Sequence, residues 1–289
     1  MAVLPGWAES SPAFRDILPG DMNLPRVLVT EREFQRATSV FTEAAGLTCV
    51  PVPGEEAALA AAVTAEDARF IIVGALPYRD RLYTAVPRGG VIARFGVGYD
   101  NIDRTRAAAA GIVCTNTPGV LDQSVAELTM LLIVAAARHL LGIAGQMRQQ
   151  VWEQTQGLEL SGRTLTIVGC GRIGGAVARI ASAGFGMRVV GYRRPGSTGA
   201  VPEQVAYASI VDDFAFAVRG ADFVSVHVPA TPENAGFIDD ARLAQLPAQA
   251  WLINTARGVV VDERALYAAL ASGRIARSTF TFSSRTESG

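Results

Sequence analysis

The sequence contains no lysine, because all 26 of its basic residues are arginine. This excludes catalysis by a lysine amine or Schiff base, and we attribute it to the codon usage of a GC-rich genome. Cysteine is scarce: Cys49, Cys114 and Cys170 form an odd, unpatterned set, which predicts free thiols in a reducing compartment. The only histidines are His139 and His227, so few side chains could act as a general acid near neutral pH.

The sequence also lacks an excess of positive or negative charge. The 26 basic and 27 acidic residues leave a net charge of −1, which is unlike a nucleic-acid-binding protein. The first residues do not read as a basic and then apolar leader, and the most apolar stretch, Leu128 to Ala137, is too short for a membrane span. These features predict a cytoplasmic protein that binds neither nucleic acid nor membrane.

The remaining composition is globular, with 49% hydrophobic and 18% charged residues, and 289 residues suit two domains. Strand-like runs alternate with helical stretches, which predicts an α/β protein with two doubly wound parallel-sheet domains. We expect strands at 27–30, 47–52, 70–73, 91–95, 112–115, 164–168, 187–192, 222–228 and 250–254. The expected divisions are an N-terminal extension (1–25), a substrate domain (26–117), a dinucleotide domain (118–276) and an atypical tail (277–289). A hinge at Asn116–Gly119 would join the domains, and a long helix from Ser124 to Arg148 would open the second unit.

A glycine turn in the second domain indicates the cofactor. A β-branched run ending at Val168 leads into Gly-Cys-Gly-Arg-Ile-Gly, and an alanine-rich helical pattern follows. A strand, a glycine turn and a helix in this order are what a dinucleotide fingerprint requires. The first glycine permits the turn, the second lets a pyrophosphate approach, and the third lets helix and strand pack closely. The predicted contacts are Gly169, Gly171, Arg172, Ile173 and Gly174.

The acidic residue expected about 20 positions later is absent. Arg193 and Arg194 follow the second strand instead, and the first carboxylate after Gly174 is Glu203. A carboxylate would bind the ribose 2′-hydroxyl of NAD, whereas guanidinium groups favour the 2′-phosphate of NADP. Two solvated loop arginines are the alternative. We expect NADP(H) to be preferred, with NAD(H) possible, and we expect no metal.

Other polar groups follow predicted strands. The loop Gly96-Val97-Gly98 could hold a carboxylate with its backbone N–H groups, although a plain turn is an equal alternative, and Asp103 should cap the next helix. Arg257 could bind a substrate carboxylate bidentately, with an ordinary surface arginine as the alternative. Ligands of parallel sheets bind beyond the carboxyl ends of the strands. We therefore place His227, Pro229 and Thr255 near the dinucleotide.

With these segments in order, residues 91–276 resemble the D-isomer-specific 2-hydroxyacid dehydrogenases. The resemblance is carried by Phe95–Asp100, Thr115–Gly119, Val125–Glu127, the glycine turn, His227–Pro229 and Asn254–Gly258. It implies a flavodoxin-like substrate domain, a Rossmann domain and hydride transfer between the cofactor and a small 2-oxo or 2-hydroxy acid. It also implies that Gly96, Val97 and Gly98 hold the substrate carboxylate, that Arg257 polarises the substrate, and that the long helix builds a homodimer.

One part of the family pattern is not found. The family uses a histidine in a Pro-His pair, supported by a glutamate, downstream of the Gly-Arg-Ile-Ala found here at 273–276, and this sequence continues with residues 277–289 of other character. We expect the chain as written to be a shortened or frame-shifted form that binds dinucleotide but turns over slowly. A different general acid, or a dinucleotide-binding regulatory protein resembling the family's corepressors, are the alternatives.

Overall fold

The structure, a computed structural model, describes residues 24–197, 207–275 and 277–280. The predicted N-terminal extension, except for its last two residues, and residues 281–289 of the predicted tail lie outside the described residues. The described chain forms two compact units. The first comprises residues 24–95 and Asn101–Thr115, and the second comprises Gly96–Asp100 and residues 116–275 and 277–280.

The first unit is a five-stranded parallel sheet with helices between the strands. Its strands are β1 (Arg26–Thr30), β2 (Thr48–Val52), β3 (Phe70–Val73), β4 (Val91–Arg94) and β5 (Val113–Thr115). Its helices are α1 (Glu31–Arg36), α2 (Thr38–Thr42), α3 (Glu56–Ala65), α4 (Arg81–Ala85) and α5 (Arg104–Ala109). The strand order β2-β1-β3-β4-β5 is the flavodoxin-like order. As predicted, Asp103 caps α5, and its carboxylate accepts a hydrogen bond from Arg106 N at 3.0 Å.

The second unit is a six-stranded parallel sheet. Its strands are β6 (Thr164–Val168), β7 (Arg188–Tyr192), β8 (Ser209–Val211), β9 (Phe223–Val226), β10 (Trp251–Asn254) and β11 (Arg277–Phe280). Its helices are α6 (Asp122–Ala137), α7 (Leu140–Arg148), α8 (Arg172–Phe185), α9 (Phe214–Val218), α10 (Asp240–Leu243) and α11 (Glu263–Ala271). The order β11-β10-β9-β6-β7-β8 is that of a Rossmann sheet, with β6 as its first strand. The predicted fold class is confirmed.

Both sheets are covered on both faces. In the second unit, Leu165 and Ile167 of β6 enter one hydrophobic cluster, whereas Val168 belongs to the other. In the first unit, Leu28 and its neighbour Val29 in β1 likewise divide between two clusters. Strand side chains alternate between the faces, so a strand buried on both sides needs a nearly continuous apolar run. This is why the central strands could be located from the sequence.

The expected continuous helix from Ser124 to Arg148 is wrong. It is two helices, α6 and α7, bent by 66° at Arg138 and His139. Ala137 O accepts a hydrogen bond from Leu158 N at 2.7 Å, so this carbonyl bonds to a later part of the chain at the point where α6 ends. His139 has a left-handed backbone, with φ of 52°, which a continuing helix does not allow. Within the described residues no single helix could cross a membrane, and α6 and α7 reach the length and composition of a span only as a bent pair.

Two edge strands were not predicted. β8 pairs with β7, and β11 pairs with β10 in parallel register from Trp251 opposite Arg277 to Asn254 opposite Phe280. Edge strands of only three and four residues give too short an apolar run to mark a buried strand. Residues 277–280, which were assigned to the atypical tail, therefore form the sixth strand of the Rossmann sheet.

Candidate active site

The glycine turn joins β6 to α8, and the space around each of its three glycines is different. Gly169 has φ of +103°, and a Cβ there would lie 2.8 Å from the backbone carbonyl of His227. A Cβ on Gly174 would lie 2.2 Å from Gly169 O. On Gly171 it would meet no described atom within 4 Å. Two glycines are therefore required by packing, whereas Gly171 faces open space.

Helix α8 begins at this turn without a capping side chain among the described residues. Gly171 occupies the N-cap position, and its carbonyl accepts from Gly175 N at 2.8 Å. The N–H groups of the first helical turn, which include those of Arg172 and Ile173, have no acceptor within the helix. Together with the positive end of the helix dipole, they form a place suited to a phosphate.

Arg172 extends from the same turn toward the start of α6. Its Nε donates to Asp122 Oδ2 at 2.6 Å, and its guanidinium lies against Gly119, where a Cβ would be 2.1 Å from Nη2. Gly119 has φ of +87°, a conformation that glycine adopts readily. The side chain thus connects the glycine turn with the predicted hinge segment, all within the second unit.

The two arginines after β7 have different surroundings. Arg193 Nη2 donates to Ser197 O at 2.5 Å, four residues later in the same loop. Arg194 Nη1 donates to Asn234 Oδ1 at 3.1 Å and to Glu233 O at 3.3 Å. Asn234 is buried, and Arg194 therefore links this loop to a neighbouring turn.

His227 continues from β9 beside the glycine turn. Its N–H donates to Val168 O at 2.7 Å, and its Nε2 lies 2.8 Å from Ser225 Oγ. Burial of the ring lowers the pKa of His227 from 6.5 to about 4, because the charged imidazolium loses its hydration. The His227 side chain is therefore neutral near pH 7. Pro229 lies two residues later in the chain, and its carbonyl accepts a hydrogen bond from Asn234 Nδ2 at 2.9 Å.

The loop after β10 carries Arg257 and is held by buried polar groups. Asn254 Oδ1 accepts from Ala256 N at 3.0 Å, while its Nδ2 donates to Arg257 O at 2.9 Å. Thr255 Oγ1 lies 3.0 Å from Thr129 Oγ1 on α6, and both threonines are buried. Buried polar groups with satisfied hydrogen bonds favour one conformation, so the backbone at Arg257 is well defined.

The loop Gly96–Asp100 belongs to the same unit as Arg257. Gly96 O accepts from Thr117 N at 3.1 Å, and Val97 O accepts from Asn116 Nδ2 at 2.7 Å. In a planar trans peptide the N–H points opposite to the carbonyl. The N–H groups of Val97 and Gly98 therefore point away from Asn116 and Thr117, as an anion site requires.

Arg257 reaches this loop directly. Its Nη2 lies 3.2 Å from Asp100 Oδ1, and its Nε lies 3.3 and 3.4 Å from the two Asp100 oxygens. A Cβ on Gly98 would be 1.9 Å from Nη2. The structure thus brings together two regions that the sequence analysis assigned separately to the substrate. Among the described residues no three His, Cys, Asp or Glu side chains converge as a metal site.

The family model of the D-isomer specific 2-hydroxyacid dehydrogenase, NAD binding domain, matches residues 130–280, more than half of the chain. The chain belongs to this family. The match extends through β11 and so includes the sixth strand of the sheet.

Relatives of this 2-hydroxyacid dehydrogenase chain include two types of enzyme. A glyoxylate reductase of Korarchaeum cryptofilum is 40% identical over 210 residues, covering 69% of this chain and 61% of the relative. A D-3-phosphoglycerate dehydrogenase of Mycobacterium leprae is 35% identical over 258 residues, covering 88% and 47%. The chain therefore spans less than two thirds of the length of either relative.

This chain also resembles a solved structure, and here the match covers a larger share of the other protein. It is the NADPH-dependent glyoxylate/hydroxypyruvate reductase of Sinorhizobium meliloti in complex with NADP and malonate. The match has a TM-score of 0.78 and 31% identity, and covers 90% of this chain and 80% of that one. The family resemblance inferred from the ordered motifs is thereby confirmed.

The sequence analysis missed four residues of this candidate site: Asn116, Thr129, Asn254 and Asp100. Asn116 and Asn254 stood inside quoted motifs but were read as turn or strand-end residues. Thr129 lies in an apolar helix and carries no local signal. Asp100 is acidic and ends a glycine loop, yet its partner Arg257 is 157 positions away, so only the fold shows the pair.

Proposed function

We propose that this protein is an oxidoreductase that interconverts small 2-oxo and 2-hydroxy acids with a nicotinamide dinucleotide. The observation that carries the proposal is the contact of Arg257 with the Gly98 loop in the unit that also holds the glycine turn. A guanidinium beside backbone N–H groups suits a carboxylate next to a carbonyl oxygen. Family membership and similarity to a glyoxylate reductase support the same reaction.

The residues at the glycine turn fit a dinucleotide. Gly171 leaves open space where a pyrophosphate would approach, and the N–H groups of Arg172 and Ile173 lie in the first turn of α8. When bound, the nicotinamide group supplies or accepts the hydride. The protein's own part is to hold the anionic groups at the turn and to orient the 2-oxo acid at Arg257.

We further propose that NADP(H) is preferred over NAD(H). Arg193 and Arg194 follow β7 at the position where an acidic residue would select NAD. The NADPH-dependent structure from Sinorhizobium meliloti supports this preference by similarity. Arg194 is bonded to Asn234 in a neighbouring turn, and changing Arg193 leaves that bond in place, so Arg193 is the residue that we change in the test.

His227, the histidine that follows β9 beside the glycine turn, is a poor donor for the proton step. Reduction leaves an alkoxide oxygen that must take up a proton. With a pKa of about 4, roughly one His227 ring in a thousand is protonated at pH 7. His139 lies in the break between α6 and α7. If His227 were the acid, we would expect dinucleotide binding with slow turnover, since acid–base help contributes ~10²–10⁴ in rate.

We also propose a homodimer formed through the α6–α7 region. Leu141 and Trp152 are 84% and 85% exposed, and Leu131, Leu140 and Met147 are exposed as well. A cluster of exposed large apolar side chains is unusual on a monomer and typical of an interface.

The test combines binding with turnover. NADPH and NADH titrations of the wild type and of Arg193→Asp should show tighter NADPH binding in the wild type only. Arg257→Ala should reduce binding of 2-oxo acids at least about tenfold while leaving NADPH affinity intact, and Arg264→Ala on α11 is a control for the lost charge. Equal NADH and NADPH affinities would contradict the cofactor preference. Dinucleotide binding without turnover of any 2-oxo acid would favour a regulatory protein.

A further inference from the structure

The Arg257 guanidinium is held on one edge by a residue that the proposed reaction does not itself require. Asp100 contacts both Nε and Nη2, at 3.2–3.4 Å. Oδ1 of the carboxylate faces both nitrogens, and Nε is shared between Oδ1 and Oδ2, so the carboxylate lies along the Nε–Nη2 edge of the guanidinium. A third contact, from Nη1 to Ala256 O at 2.9 Å, lies on the other side of the group.

An exposed ion pair alone is worth little, but this pair is confined. Gly98 leaves no room for a Cβ beside Nη2, so the guanidinium lies directly against the loop backbone. The loop is fixed by Asn116 and Thr117, and the backbone of Arg257 is fixed by Asn254. Both ends of the pair are thus attached to ordered elements of one unit.

We propose that Asp100 is a positioning residue for Arg257. It binds the Nε–Nη2 edge and thereby directs the opposite Nη1–Nη2 edge to the substrate's carboxylate and 2-oxo oxygens. The inference rests on the proposed function, since it concerns the same substrate site. Its physical basis is preorganisation: a side chain that is already oriented does not have to be immobilised when the ligand binds.

The opposite role for Asp100 is competition. A carboxylate on Arg257 could act as an internal counter-ion that the substrate must displace. Removing its charge would then strengthen the binding of anions, because less negative charge would remain near the guanidinium. The two roles therefore predict opposite changes in the affinity for a small 2-oxo acid analogue.

The decisive experiment is a double-mutant cycle in the full chain loaded with NADPH. Binding of oxamate, a non-reducible 2-oxo acid analogue, is measured by calorimetry for the wild type, Asp100→Asn, Arg257→Ala and the double variant. We expect Asp100→Asn to weaken oxamate binding about two- to tenfold. In the Arg257→Ala background the same change should have no effect beyond about 1.5-fold, because Asp100 acts through Arg257. Asp67→Asn, an exposed position elsewhere, controls for the lost charge.

A second measurement does not depend on the substrate. The Nε proton of Arg257, assigned by its absence from the NMR spectrum of Arg257→Ala, should exchange with water more slowly in the wild type than in Asp100→Asn. Unchanged or tighter oxamate binding in Asp100→Asn, or an equal loss in both backgrounds, would overturn the inference. If the wild type binds no oxamate, the proposed substrate class fails, and the exchange rate of the Nε proton alone decides the role of Asp100.

Discussion

At the scale of single residues, His227 shows how its surroundings set its chemistry. The ring bonds to Ser225 Oγ, and the backbone of His227 lies beside Gly169 of the glycine turn. Its lowered pKa means that the folded chain disfavours the imidazolium form. A histidine of this kind can orient neighbouring groups, but it is a poor proton donor at neutral pH.

The lowered pKa of His227 predicts a pH dependence of stability. The unfolded chain takes up the proton near pH 6.5, whereas the folded chain does so only near pH 4. The free energy of unfolding should therefore be highest above pH 6.5 and fall as the pH drops from 6.5 to 4, by up to roughly 3 kcal/mol from this group. Urea unfolding of the wild type and of His227→Gln at pH 7 and pH 5 measures it.

The His227→Gln variant keeps a group that can bond to Ser225 but does not titrate. Carboxylates titrate in both proteins, so only the difference between them reports on His227. The wild type should lose more stability than the variant between the two pH values. Equal losses in both proteins would show that the ring is not shielded from water in the folded state.

At the scale of elements, the β6–α8 turn separates two uses of glycine. Gly174 makes room for Gly169 O, and a methyl group there would have to push the helix from the strand. Gly171 has an extended backbone, with φ of −80° and ψ of −160°, that alanine can also adopt. One position thus serves packing, and the other leaves space open above the turn.

Replacing Gly174 or Gly171 with alanine should therefore impair two different properties, stability in the first case and cofactor binding in the second. Gly174→Ala should lower the free energy of unfolding by about 1–3 kcal/mol, because the core is overpacked. Gly171→Ala should fold with stability within about 0.5 kcal/mol of the wild type, yet bind NADPH at least about tenfold more weakly, because the methyl group occupies the approach of the pyrophosphate.

Thermal unfolding and NADPH titration of both variants measure these outcomes. Gly184→Ala is the matched control, since Gly184 lies in α8 and a Cβ there meets no described atom within 4 Å. That change should leave NADPH binding unaltered. Full NADPH affinity in Gly171→Ala would mean that no dinucleotide approaches the backbone at this turn.

At the scale of the whole molecule, the bend between α6 and α7 affects how the protein would associate. Ending α6 at Ala137 leaves α7 with no buried residue, and the side chains of Leu140, Leu141 and Met147 are exposed. Burying such side chains is favourable by roughly 25 cal/mol for each Å² removed from water. In the proposed homodimer, a second copy of the chain would cover these side chains.

Association should therefore depend on these side chains. Sedimentation velocity at micromolar concentration should show a dimer for the wild type and a monomer for the double variant Leu141→Ser and Trp152→Ser. Tyr267→Ser removes a side chain on α11 that is 75% exposed and should leave the dimer intact. A monomeric wild type would contradict the proposal, as would a double variant that remains dimeric.

Much of this organisation follows from local sequence patterns. The strand predicted at 164–168 coincides with β6, because a strand buried on both faces must be continuously apolar. The glycine turn was recognisable because each glycine meets a backbone requirement within a short stretch. Asp103 was identified as a cap because an N-cap side chain bonds within the first turn of its helix. In each case the interactions that determine the structure join residues that are close together in the sequence.

Only the tertiary structure decided the rest. The helix break at His139 depends on Leu158, which bonds to Ala137 from a later part of the chain. Strand β11 pairs with the edge that β10 offers, although three of its own four residues are polar. Asp100 meets Arg257 because the chain places the glycine loop, far away in sequence, within the second unit. These features arise between residues distant in sequence, and no local propensity specifies which distant groups will meet.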